Sequence, residues 1–354
     1  MKHLTVAFLI FGLCVLLSAT GFAQPFPITD VRALGMGGAF VAAGEGIGAV
    51  QYNPALLGED STAGVVFPEV VLRIEDHINL ADLIDRLNEL GPTSEAVTIL
   101  EELDQGDGLD AQASGAVGAG FGVFGISAGV TYSQVIFGAA YPVNISTNPA
   151  DLPDDNYNRL QYGAVEARQI ILTGAKSFGG ITVGANLRNI DATTYNNSEW
   201  LFEDPGIDIG DMTEGAESDE SAVAVDAGAV LNLAPILDVG IVAKDVNGPE
   251  LGDWKFEPRY RIGVALKFPV LTVAADYDVT EDDVFGTEYK DWALGAEVDM
   301  WTIALRGGVS KNLGLSGSPT LIHLGVGLGF LDIAAAYAEE GEYYMAGVNL
   351  ALGF

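Results

Sequence analysis

Cysteine is nearly absent: Cys14 is the only one among 354 residues. It lies inside an apolar run from Val6 to Leu17, whereas a lipid-bearing cysteine follows such a run, so it reads as a small apolar residue of a leader. Once that leader is cleaved, the chain carries no thiol, which excludes disulfides, zinc–thiolate sites and cysteine nucleophiles. Histidine is scarce too, and His3, His77 and His323 have no metal-ligand spacing. Lys and Arg number 16 against 49 Asp and Glu, a net charge of −33. Acidity of this degree repels phosphates and excludes nucleic acid as a partner. Beyond the leader, no stretch reads as a spanning helix, which needs roughly 20 apolar residues.

At the N-terminus, Lys2 and His3 precede the apolar run, and Gly21-Phe22-Ala23 follow it. That order predicts a secretory signal over residues 1–23, cleaved after Ala23. The rest combines features that seldom coexist: 49% hydrophobic residues with a strongly negative charge. A disordered acidic chain would lack the apolar fraction. The two agree if apolar side chains face lipid and acidic ones face water. The 45 glycines argue against long helices and for strands and close packing.

Alternation with period two runs through most of the chain. Val117, Ala119, Phe121 and Val123 share one face, with Gly118, Gly120 and Gly122 on the other. Tyr260, Ile262, Val264 and Leu266 oppose Arg261, Gly263, Ala265 and Lys267. Fourteen such segments are expected: 63–75, 110–124, 126–144, 159–178, 180–196, 221–234, 237–247, 259–269, 271–280, 289–300, 301–311, 319–330, 331–339 and 343–354. Their connections alternate between long and short, the habit of transmembrane barrels with short periplasmic turns and long outer loops. In lipid every backbone N–H and C=O must be paired within the protein, and a closed sheet does this. The fold class expected is therefore all-β: an antiparallel transmembrane β-barrel of about fourteen strands in the bacterial outer membrane, surrounded by outer-membrane lipid. Phe354 ends an alternating last strand, and this resembles the insertion signal read by the barrel-assembly machinery.

Two regions do not alternate. Residues 24–60 contain Gly35, Gly37 and Gly38, then Asn53-Pro54-Ala55. A phosphate loop would need a preceding strand and a following P-loop lysine, and neither is present. Residues 77–104 have helical spacing, with Leu80, Leu83, Leu87 and Leu100 on one apolar face and a break at Gly91-Pro92. By strand count this insert lies in the first outer loop. It reads either as a small cap packed on the rim or as a lid or docking surface.

The run from Arg32 to Ala42, followed by Asn53-Pro54-Ala55, resembles the opening of the FadL-type outer-membrane barrel superfamily. Lys244 to Glu250, Arg261 to Ala265, Ala274 to Asp278, Gly295 to Glu297 and Leu305 to Gly308 look most like its PorV-like branch and the barrels labelled conjugal transfer protein TraF. The resemblance implies an N-terminal plug over 24–60, with Asp30, Arg32, Gly35, Gly37, Gly38, Asn53 and Pro54 as its motif, inside a barrel over 61–354. It also implies two functions. One is transport of a hydrophobic small molecule; the other is a plugged barrel serving an envelope-machine protein in secretion or conjugation.

No catalytic constellation and no cofactor site is expected. Arg188, Asp226, Lys244, Arg261, Lys267, Asp276, Asp278, Glu297, Asp299 and Arg306, with Asp332, fall on the face away from lipid. Unpaired charges in a restricted lumen are costly, so these should pair with one another and with Asp30 and Arg32. The acidic loops around 151–155, 203–220 and 281–283 read as solvated runs, or as sites for divalent cations shared with lipopolysaccharide.

Overall fold

The computed structural model describes residues 28–59, 64–76, 80–103, 109–202, 216–251, 254–284, 287–314, 317–329, 331–338 and 342–350. The expected leader over 1–23 and the terminal Phe354 lie outside the described residues.

Fourteen antiparallel strands form a closed barrel in which each wall strand pairs with its neighbours in sequence and the first pairs with the last. They are β1 (Gly64–Asp76), β2 (Leu109–Val123), β3 (Ile126–Val143), β4 (Arg159–Ser177), β5 (Ile181–Trp200), β6 (Ala216–Ala234), β7 (Leu237–Lys244), β10 (Arg259–Lys267), β11 (Leu271–Asp278), β14 (Asp291–Asp299), β15 (Ala304–Asn312), β16 (Leu321–Gly327), β17 (Leu331–Ala338) and β18 (Glu342–Leu350). Each falls on one of the fourteen alternating segments. Closure joins Glu69 to Asn349 in register, and the Asn349 side-chain amide donates to the Glu69 carboxylate at 2.8 Å. A barrel leaves no unpaired edge for another chain to extend.

Two short hairpins were not expected: β8 (Glu250–Leu251) with β9 (Trp254–Lys255), and β12 (Asp282–Val284) with β13 (Thr287–Tyr289). Ladders of two or three residues are too short to show a period.

Burial follows the pleat. Along β10, buried and exposed residues alternate, with Tyr260, Ile262, Val264 and Leu266 outside. On β16, Ile322, Leu324 and Val326 are exposed. A continuous apolar band therefore encircles the outside. On β5 it comprises Ile181, Val183 and Leu187, and it gives way to exposed Asn189 and Asp191. Beyond that level, β3 to β6 continue as a taller wall on one side.

The inserted segment after β1 is helical as expected: α2 (Leu80–Leu90) and α3 (Val97–Leu103), joined through Gly91 at φ 62°. Helix α1 (Val31–Gly35) lies upstream, in the N-terminal segment. Leu80, Leu83, Leu87 and Leu100 are buried with Leu152, Leu160, Tyr162 and Leu201, so the amphipathic pair sits on the tall side of the wall. Its outward residues are charged, Asp82, Asp85, Arg86 and Glu89 among them.

Candidate functional site

The bore is occupied. Residues 28–59 run through it as α1 and two 3-10 turns, Ile47–Gln51 and Pro54–Gly58. Asp30 caps α1, its carboxylate accepting from Ala33 N at 2.8 Å. Burial pushes the Asp30 carboxyl above its ordinary range, while the Ala33 N–H bond opposes that shift. The helix ends through Gly37 and Gly38, at φ 69° and 86°, with Gly38 N donating to Ala33 O at 2.8 Å. The chain then folds back on itself. Tyr52 Oη accepts from Thr29 N and Asp30 N at 3.0 and 3.3 Å, and its ring meets Phe40 edge-on at 5.1 Å.

Wall glycines make room for this segment. A Cβ on Gly184 would strike the Pro54 and Ala55 backbone, and one on Gly228 would strike Asn53. On Gly240 it would meet the Val41 carbonyl, and on Gly295 that of Met36. Gly184 pairs with Gly228 across the sheet, Gly240 with Gly263, and Gly295 with Gly308. These inward glycines are the seats of the segment's backbone.

Polar contacts then hold it. The Asn53 amide donates to Val41 O at 3.0 Å and to Ala229 O on β6 at 3.2 Å, and its Oδ1 accepts from Ala55 N at 3.1 Å. The amides that follow the glycine-rich turn do bind an anion, but it is the protein's own carboxylate. Phe40 N and Val41 N donate to Asp276 Oδ2 at 2.7 and 2.9 Å. On β16, His323 Nδ1 donates to Leu34 O at 2.9 Å, and Nε2 lies 2.8 Å from Ser310 Oγ. On β5, Asn186 donates to Val50 O at 2.9 Å. Replacing Asn53 with alanine leaves two carbonyls and one N–H without this partner. It is expected to lower stability by about 1–3 kcal/mol, read as a shift in the urea midpoint of the detergent-folded protein.

The lumen charges form separate groups. At the short-turn end, Arg32 Nη2 and Nε hold Glu297 at 2.6 and 2.8 Å. Arg306 Nε reaches the same carboxylate at 2.6 Å, and Arg306 continues to Asp332. Towards the long loops, Arg188 bonds Asp226 at 3.0 Å and also Asp245, which Arg259 shares. Lys244 is buried beside them, in register with Arg259. Arg261 pairs with Asp278, with Asp291 3.7 Å away. At the rim, Lys267 lies 3.2 Å from Asp238 and 3.9 Å from Glu45 of the N-terminal segment.

One expectation is corrected. Asp299 is exposed and takes no part in the lumen network; β14 ends there, and the carboxylate accepts from Trp301 N at 2.9 Å to shape the turn. Asp30 serves first as a helix cap, and the charges of Arg32 and Arg306 act on its carboxylate as well.

Sequence reading missed Asp245, Arg259, Asn186 and His323. The alternation that selects Arg261 also selects Arg259, two residues earlier on the same face. Asp245 escapes alternation because its φ of 55° turns the chain where β7 ends, so that it and Lys244 both face inward.

The loop after β7 folds into the barrel. Leu251 and Phe256 pack on β4 to β6, and a cleft opens beneath them. Ala167, Ile190, Leu251 and Phe256 line it together with Gln169, Arg188, Asp245 and Arg259, and it is narrow, with about 10 Å³ of room inside. Among the described residues, no cluster of His, Cys, Asp or Glu is arranged to hold a metal ion.

Comparison with known proteins gives a family and a fold. The family model described as F plasmid transfer operon, TraF, protein matches residues 50–278. No curated protein matches the sequence. Among solved structures, the CymD monoaromatic hydrocarbon channel aligns with a TM-score of 0.61 at 14% identity, over 94% of this chain and 100% of that one. The Ralstonia pickettii toluene transporter TbuX aligns at 0.59 and 12%, over 95% and 100%. A Pseudomonas aeruginosa FadL homologue aligns at 0.53 and 12%, over 94% and 97%. At these identities the likeness is one of fold.

Proposed function

The chain belongs to the TraF family of the F plasmid transfer operon, and from that premise we propose that it is an outer-membrane barrel that takes up small hydrophobic molecules. The observation that carries this reading is a bore filled by the protein's own N-terminal segment, beneath a narrow cleft whose lining includes Ile190, Leu251 and Phe256. An open aqueous pore would leave its lumen clear, whereas an apolar cargo that parts the loop after β7 from the wall gains by leaving water for Ile190, Leu251 and Phe256. The continuous apolar band supports a bilayer setting, because soluble monomers rarely expose a contiguous apolar surface of that extent. Residues 28–59 act as the plug, and Phe354 is the mark read by the barrel-assembly machinery. The neighbours described as hydrocarbon channels make toluene a reasonable first probe.

Uptake of labelled toluene and of medium-chain alkanes by proteoliposomes tests the reading. The intact protein should raise uptake, and Phe256→Asp, which places a charge among the apolar residues of the cleft, should remove most of that gain. Equal uptake by protein-free vesicles across the panel would end the proposal.

A second reading is favoured by the family description and by the charged outer face of α2. In it, the plugged barrel serves an envelope machine as a partner-binding component, as the PorV-like resemblance implies. Mild-detergent isolation from outer membranes should then yield a stoichiometric partner that is lost when residues 80–103 are deleted. A lone monomer would count against it.

A further inference from the structure

Among the described residues, six hairpin turns close the barrel at the end opposite the long loops: 124–125, 178–180, 235–236, 268–270, 300–303 and 328–329. None contains Asp, Glu, Lys or Arg, although 18% of the chain is charged. Their side chains are large and bare. Phe124 is 100% exposed and Trp301 97%, and Phe178, Ile236, Val270 and Met300 are exposed as well. A turn standing in water would carry the Asn, Asp and Ser that bond their own backbone.

Backbone conformation strengthens the point. Phe124 has φ 55° and Trp301 φ 71°, in the left-handed region that bulky residues seldom adopt. Phe124 precedes Gly125, also left-handed at φ 72°, in a turn type that favours Asn-Gly or Asp-Gly. Side chains this exposed gain little from the rest of the chain to offset that cost, so whatever they gain lies outside it.

The apolar band of the wall runs on into these tips. Phe121 and Val123 lead to Phe124 and on to Ile126; Val298 and Met300 lead to Trp301 and on to Ile303 and Leu305. The exposed charges that flank these turns are tied to them. Asp299 holds the Trp301 amide, and Lys176 reaches over the Phe178 ring at 5.0 Å, as an amphipathic side chain does at a headgroup boundary.

We propose that this rim is a lipid-binding surface: the turn tips lie in the headgroup–acyl boundary of the inner leaflet, anchored by Phe124 and Trp301. Phospholipid is the occupant that continues the band. A docked protein is less well matched, because protein interfaces carry a polar rim around their apolar centre and these turns have no charge. The inference rests on the reading of the barrel as membrane-spanning, and its test separates the two.

Trp301 is made the sole tryptophan by Trp200→Phe, Trp254→Phe and Trp292→Phe. A second protein lacks all four native tryptophans and carries Leu324→Trp in the middle of the band. Both are folded into phosphatidylcholine–phosphatidylglycerol vesicles whose acyl chains are brominated at shallow or deep carbons, and folding is checked by heat-modifiable migration. Trp301 is expected to lose most of its emission to shallow bromines and to resist aqueous iodide, and the Leu324→Trp probe to be quenched by deep bromines. A quenched band probe with Trp301 untouched by bromine but open to iodide would overturn the rim proposal and leave the spanning barrel intact. So would a Trp301 shielded only after outer-membrane protein extract is added. If neither probe is quenched by bromine, the spanning barrel itself falls.

Discussion

Replacing Gly228 and Gly240 together with leucine is expected to turn a silent barrel into an ion-conducting one. At Gly228 the first added carbon would meet Asn53 Oδ1, and at Gly240 the Val41 carbonyl. Neither obstacle is a flexible side-chain end that can swing aside, since Asn53 is tied to two carbonyls and Val41 is held by Asp276. The wall itself tolerates leucine, because both positions sit in strands with ordinary extended backbone. Overpacking costs about 1–3 kcal/mol per site, and leucine here displaces backbone, so the two costs should expel the N-terminal segment while the sheet stays closed. Planar bilayers containing the double variant should show discrete current steps, and added protease should cut within residues 28–59. Silent bilayers with a protease-resistant segment would show that the seat is wider than these contacts imply.

Loss of Glu297 should have the largest effect on stability. Its carboxylate sits between two guanidiniums, taking 2.6 and 2.8 Å bonds from Arg32 and one of 2.6 Å from Arg306. With alanine there, two cations face each other across a space that water enters poorly. Removing one partner from a buried pair costs about 3–5 kcal/mol, and here two arginines are affected. Glu297→Gln keeps the shape without the charge and should cost less. The check is a double-mutant cycle in urea. Arg32→Ala in the Glu297→Ala background should restore part of the loss, because it removes one of the stranded cations. Additive losses would mean that Arg32 and Glu297 act independently.

The wall was legible because its information is local. A period of two needs only a dozen residues to declare itself, and fourteen segments declare it. Tyr260 to Lys267 shows the faces as plainly in the sequence as in the barrel. The inward-facing charges on those strands were legible for the same reason. Asp299 was misread because alternation continues on paper past the point where the strand ends, and a side chain beyond that point bonds the nearest free amide. Asp245 was missed for the converse reason, since a single left-handed residue reverses the face. The glycine-rich run near Gly35 to Gly38 resisted reading on its own, because the anion it binds, Asp276, stands 235 residues beyond Val41.

Period-two alternation by itself determined the strand count, the outward faces and the side on which long loops gather, since these follow from pleat and from apolar spacing along one strand. Only the closed tertiary structure decided which side chains meet across the bore. Arg32 finds Glu297 over a separation of 265 residues, and Gly228 lies under Asn53, because closure and ladder register set how high and at what angle each wall residue stands. Those two coordinates depend on every strand at once, so no single segment of sequence carries them.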